Sequence, residues 1–170
     1  GIYTGILLSA FGARPFWNSG VLGILFLVSG LSTAAALVVL IARQKSEKEL
    51  FTGLDFVLIL AEIALIALVL ISLASGSGQH IDALQIIMGG PYTFEFWVVF
   101  FCIGLVIPLI LEILEMTGIR KSLAMLAPVL VVVGGYALLQ VVMYAGQEST
   151  WTRYETQYSA ELLQRLPGKD

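Results

Sequence analysis

Between Arg14 and Arg43 the chain carries no charged residue, and there is again none between Lys121 and Glu148. A helix needs roughly 20 residues, at 1.5 Å each, to cross about 30 Å of hydrocarbon, and both stretches exceed that. The rest of the composition points the same way. Of 170 residues, 58% are hydrophobic and 12% charged, with 9 Lys and Arg against 12 Asp and Glu and a net charge of −3; mean hydropathy is +0.93. Soluble domains are about 25% charged. A chain with half that share cannot clothe a water-facing surface, so an ordinary soluble domain is excluded. The fold class expected is an all-α integral membrane protein, with the lipid bilayer as its first partner and no nucleic acid.

Residues 2–11 are apolar but too few to span, and they read as the last turns of a preceding transmembrane helix, assigned to 1–12. With no Met and no basic leader at Gly1, the start reads as a cut within a longer membrane protein. A four-helix transmembrane bundle is expected over 13–147, with spans at about 17–42, 53–73, 92–115 and 122–145. Pro15 opens the first span and the polar loop from Arg43 to Glu49 closes it. The second ends at Ser75-Gly76-Ser77-Gly78. In the long connection that follows, Ile81 to Met88 is an amphipathic turn or two at the membrane interface. Residues 148–170 read as a polar extramembrane tail. Arg43, Lys45 and Lys48 flank one loop, Arg120 and Lys121 another, and the loop between the second and third spans has no basic residue. The positive-inside rule places the two basic loops in the cytoplasm.

One Cys, Cys102, excludes a disulfide framework or cysteine metal site within the chain. One His, His80, excludes a bis-imidazole haem and is read as a solvated loop residue. No Ser-His-carboxylate set and no phosphate-cradling loop is present, which excludes an autonomous hydrolase. The informative residues are acids. Glu62 lies roughly 13 Å into the second span, near the midplane. Hydrocarbon disfavours charge, and no basic residue lies at that depth, so this carboxyl is expected to rest as the neutral acid and to mark a proton site. Asp55, seven residues back, shares its face. With Glu112 and Glu115 at the end of the third span it makes a file of protonatable groups from the cytoplasmic side. The same three residues also read as interfacial charges near Lys48, Arg120 and Lys121. Ser29, Gly30, Ser32, Thr33, Ala34, Gly134 and Gly135 read as close-packing positions between helices. Pro108 and Pro128 each remove a backbone hydrogen bond, and a carbonyl freed there is an expected acceptor for Glu62.

The run Arg14-Pro15-Phe16-Trp17-Asn18-Ser19, followed by Ser29-Gly30-Leu31-Ser32-Thr33, resembles the polysulfide-reductase membrane-subunit (NrfD-like) family. Tyr3-Thr4-Gly5, Asp55, Glu62, Phe96-Trp97, Gly104, Pro108, Pro128, Gly134-Gly135 and Ala145-Gly146-Gln147 extend the match across about 3–147. The family motif residues are thus Arg14, Pro15, Trp17, Asn18, Ser29 and Ser32. The resemblance implies eight or more helices in two four-helix bundles, this chain being the C-terminal half and packing on the N-terminal bundle of the same protein. It implies a multi-pass protein of a bacterial or archaeal inner membrane that holds no cofactor in this segment. Such a subunit exchanges electrons between menaquinone or ubiquinone and a ferredoxin-like iron–sulfur subunit, often with a molybdopterin catalytic subunit beyond. The quinone pocket belongs mostly to the other bundle. One departure stands out: where the family often has Arg after the glycines of the last span, this chain has Leu138-Leu139-Gln140.

The resulting expectation is the membrane anchor of a respiratory oxidoreductase complex, non-catalytic itself, with proton movement through Glu62, Asp55 and Glu112. A proton-coupled transporter or channel subunit and a purely structural anchor are the alternatives from other classes.

Overall fold

The computed structural model describes residues 3, 7, 14, 16–17, 19–76, 78–117 and 125–149. Among the described residues from 19 to 149, five helices follow one another: α1 (Val21–Ile41), α2 (Lys45–Ala74), α3 (Gly78–Met88), α4 (Glu95–Met116) and α5 (Leu126–Glu148). Of these α1, α2, α4 and α5, with 21, 30, 22 and 23 residues, are long and apolar enough to cross a membrane. Four helices of this kind, with no strand among the described residues, make the protein an all-α membrane protein. Of the expected terminal segments, Tyr3 and Leu7 are helical, and 150–170 lie outside the described residues.

α1 and α2 form an antiparallel hairpin, α4 and α5 a second pair, and α1 packs across α5 while the later part of α4 meets α2. The pattern is that of a bundle in lipid. Ile24, Leu31, Val57, Leu60, Leu68, Ile110 and Val133 face outward, and Ser29, Ser32, Thr52, Asp55, Glu62 and Glu112 are buried. With hydrocarbon outside, apolar burial no longer drives association, and small or polar residues turn inward where they pack and pair. On α2 the buried set is Thr52, Asp55, Ile59, Glu62, Ile66, Val69 and Leu73. This alternating three- and four-residue spacing is the seam of a helix packed along its length.

Glycines set the closest approaches. A Cβ on Gly104 would land on the Cα of Gly134, and the reverse holds, so α4 and α5 cross backbone against backbone. A Cβ on Gly135 would meet the Thr33 hydroxyl of α1. Around these crossings Phe96, Phe100, Leu105, Leu22, Leu138 and Val142 fill the core.

Three local expectations are corrected. The stretch read as a loop up to Glu49 is helical from Lys45, because α2 continues past the apolar segment and carries an exposed Lys45–Glu49 pair at 3.4 Å, one turn apart. His80 is not in a loop but half-buried on α3, its ring against Gly76. The third span is not uniformly α-helical. Residues Glu95–Val106 wind as a π-helix and Ile107–Met116 as an α-helix, the Ile107 N–H reaching the Cys102 carbonyl five residues back. Wider winding directly before Pro108, which has no N–H to donate, is the usual setting for such a change. The loop bearing Arg120 and Lys121 lies outside the described residues.

Candidate functional site

The seam of α2 carries two acids among its aliphatic residues. Asp55 and Glu62 are seven residues apart, two turns of helix, and therefore share the face that α1 covers. Glu112 comes from the α-wound part of α4, one turn after Pro108, which is buried beside it. All three carboxyls are closed off from the outside: Asp55 is 1% exposed, Glu62 2% and Glu112 2%. The interfacial reading of Asp55 and Glu112 therefore does not describe their surroundings. Glu115 is half-buried and contributes charge near Glu112 without joining the buried set.

Each acid has a polar neighbour, and among the described residues none has a basic one. The Ser32 hydroxyl donates to Asp55 Oδ1 at 2.6 Å. Asp55 and Glu112 face each other across the α2–α4 contact, each within the other's electrostatic reach. Two carboxyls held close together without a cation repel each other unless one of them carries a proton. Ser29 stands within hydrogen-bonding reach of Glu62, where the sequence pointed to a carbonyl freed beside Pro108 or Pro128. No Lys or Arg occurs between Lys48 and Arg120 or within the first and last spans. Among the described residues, Glu62 Oε1 and Glu112 Oε2 are buried carboxyl oxygens with no hydrogen-bond partner. Burying a polar atom without a partner is costly, and two such atoms on titratable groups make a site rather than a packing detail.

Ser29 and Ser32 were legible as small residues and as motif residues, but not as partners of the acids. Their role as partners of Asp55 and Glu62 was carried by a signal of spacing: hydroxyls three apart on one helix, opposite acids seven apart on the next. The other motif residues do something different. Arg14 Nη1 donates to the carbonyls of Gln147 at 2.6 Å and Ser149 at 3.0 Å, placing a positive charge on the open end of α5. The Trp17 indole N–H donates to the Val142 carbonyl at 2.9 Å, its ring occupying the space that a Cβ on Gly146 would fill. Together they fasten the segment before α1 to the end of α5. Pro15 and Asn18 lie outside the described residues.

Gln140, where the family often has Arg nearby, lies in a separate groove of about 410 Å³ between α4 and α5, with Tyr92, Glu95, Tyr136 and Tyr144. Its Nε2 donates to the Tyr136 hydroxyl at 2.7 Å.

A bundle of four membrane-crossing helices that buries a row of carboxyls and hydroxyls and turns its apolar residues outward defines a multi-pass membrane protein with a polar interior. Comparison narrows the class. The family described as polysulphide reductase, NrfD, matches residues 1–150, and the chain belongs to that family. It is similar to Protein NrfD of Escherichia coli K12, 34% identical over 157 residues covering 86% of this chain and 49% of that protein. The C subunit of polysulfide reductase from Wolinella succinogenes is 34% identical over 158 residues, with 86% and 50% covered. The NrfD homolog of Haemophilus influenzae is 32% identical over 156 residues, with 86% and 49% covered. The chain thus spans about half the length of these relatives. No solved structure matches it significantly.

Proposed function

We propose that this chain is a bundle of the membrane subunit of a quinone-linked oxidoreductase complex in a bacterial or archaeal inner membrane, and that its own contribution is proton movement through Glu62, Asp55 and Glu112. Electrons pass between menaquinone or ubiquinone and a ferredoxin-like iron–sulfur subunit, with a molybdopterin subunit as the further partner. The observation that carries the reading is the row of three buried carboxyls, two of whose oxygens have no hydrogen-bond partner and which have no cation beside them among the described residues. Titratable groups held inside a membrane protein are costly and persist where protons or ions pass. Family membership supports the redox setting, and the name of the Wolinella relative makes that protein one subunit of a reductase.

Reconstituting the full-length protein with its iron–sulfur partner tests this directly. Quinol added to the liposomes is expected to reduce the partner's clusters only when the membrane subunit is present. Solute flux through the membrane subunit alone, without quinol-dependent reduction, would replace this reading with that of a transporter.

Orientation gives a second test. Arg43, Lys45 and Lys48 at one end of the α1–α2 hairpin place that end in the cytoplasm. With Cys102 replaced by Ser, a membrane-impermeant thiol reagent applied outside is expected to label Gln79→Cys and leave Ser46→Cys untouched. Labelling at 46 and not at 79 would invert the topology.

A further inference from the structure

Asp55 and Glu62 belong to the same proposed path, yet their backbones are roughly 10 Å apart along α2, well beyond the span of one hydrogen bond. Something has to occupy the interval. The face of α1 that lies against α2 presents two hydroxyls there, Ser32 and Ser29, both buried. Ser32 already donates to Asp55 at 2.6 Å, and Ser29 stands beside Glu62.

The register follows from helix geometry. Side chains lean toward the N-terminus of their own helix, so the Glu62 carboxyl reaches back along α2 toward Asp55 by part of a turn. α1 runs antiparallel to α2, and Ser29 lies about 4.5 Å along its axis from Ser32. That shift brings Ser29 toward the lowered Glu62 carboxyl, and it sets the two serines about one turn apart, a separation of the order that one water bridges. The row then reads Glu112, Asp55, Ser32, Ser29, Glu62. At its two end residues, Glu112 Oε2 and Glu62 Oε1 are buried with no hydrogen-bond partner among the described residues.

We infer that Ser32 and Ser29 are the hydroxyl bridge by which a proton passes between Glu62 and the Asp55–Glu112 pair. In one direction, the Ser32 O–H bond breaks as its proton goes to an ionised Asp55 oxygen, and Ser32 Oγ takes a proton from the Ser29 hydroxyl, directly or through one water. Ser29 in turn takes the proton of the Glu62 acid. Both serines finish as neutral hydroxyls, one proton has moved from Glu62 to the pair, and no electron is involved. The inference rests on the proton role proposed above for Glu62, but its test needs no quinone turnover.

The full-length protein in liposomes is diluted into heavy water, and the carbonyl band of the Glu62 acid, recognised by its loss in Glu62→Gln, is followed by infrared spectroscopy. Ser29→Ala and Ser32→Ala are expected to slow hydrogen–deuterium exchange of that band by tenfold or more. Ser29→Thr and Ser32→Thr, which keep the hydroxyl, are expected to exchange within twofold of the parent. Should an alanine variant fail to fold, the near-isosteric Ser→Cys change takes its place with the same expected slowing, since a thiol is a poor hydrogen-bond relay. Exchange at the parent rate in the alanine or cysteine variants, or equal slowing in the threonine variants, overturns the bridge. If exchange depends on the serines while proton uptake in the working complex ignores Glu62, the bridge stands and the proposed coupling falls. The reverse pattern removes the bridge and keeps the coupling.

Discussion

Gly134→Ala is expected to destabilise the bundle by about 3 kcal/mol or more, and Gly104→Ala to do the same. Alanine in place of glycine inside a helix is normally favourable by up to about 1 kcal/mol, so the expected sign is the reverse of the ordinary one. The cause is local. The new methyl carbon would lie on the backbone of the facing glycine, which has no flexible side chain to move aside. Ordinary overpacking costs about 1–3 kcal/mol where side chains can give; here two helices have to separate. Separation would also loosen α5 against α1, where Gly135 faces Thr33. Gly53→Ala on α2 is the control, because nothing lies within 4 Å of the added carbon. Thermal melts followed by size-exclusion chromatography should show Gly53→Ala at or above the parent and both crossing variants clearly below it. A Gly134→Ala protein as stable as Gly53→Ala would mean that α4 and α5 do not cross there.

How much of this was legible in the sequence follows from what each feature depends on. The four spans stand out because the cost of charge in hydrocarbon is local and additive, and it empties whole stretches such as Arg14 to Arg43 of charged residues. Asp55 and Glu62 stand out for the same reason, as the exceptions. The partners of those acids were not legible, because a serine in a membrane helix looks the same whether it packs or pairs; which it does depends on what the neighbouring helix brings opposite. The π-helical stretch escaped for a related reason. Pro108 announces a missing donor, but a missing donor does not say how far the winding widens ahead of it. α2 extends through Lys45–Thr52 because polarity marks where a span leaves the membrane, and a helix need not stop at that point. Arg14 and Trp17 were legible as motif residues, whereas their grip on the end of α5 joins positions more than a hundred residues apart.

In the intact complex, Glu62→Gln is expected to assemble normally, since the amide keeps the shape of the side chain and a hydrogen-bonding oxygen and nitrogen for Ser29. What it removes is the exchangeable acid proton. Turnover with quinol then has no carrier at the Glu62 end of the row, and the proton uptake that accompanies each turnover is expected to fall at least tenfold while Asp55 and Glu112 remain in place. Asp55→Asn should reproduce the loss from the other end of the serine pair. The decisive measurement is proton uptake per quinol turnover in liposomes, taken together with the infrared difference spectrum of the same sample. The account predicts that Glu62→Gln loses both the protonated carboxyl band and the coupled uptake; a mutant that keeps the band and the uptake would show that Glu62 is not the proton site.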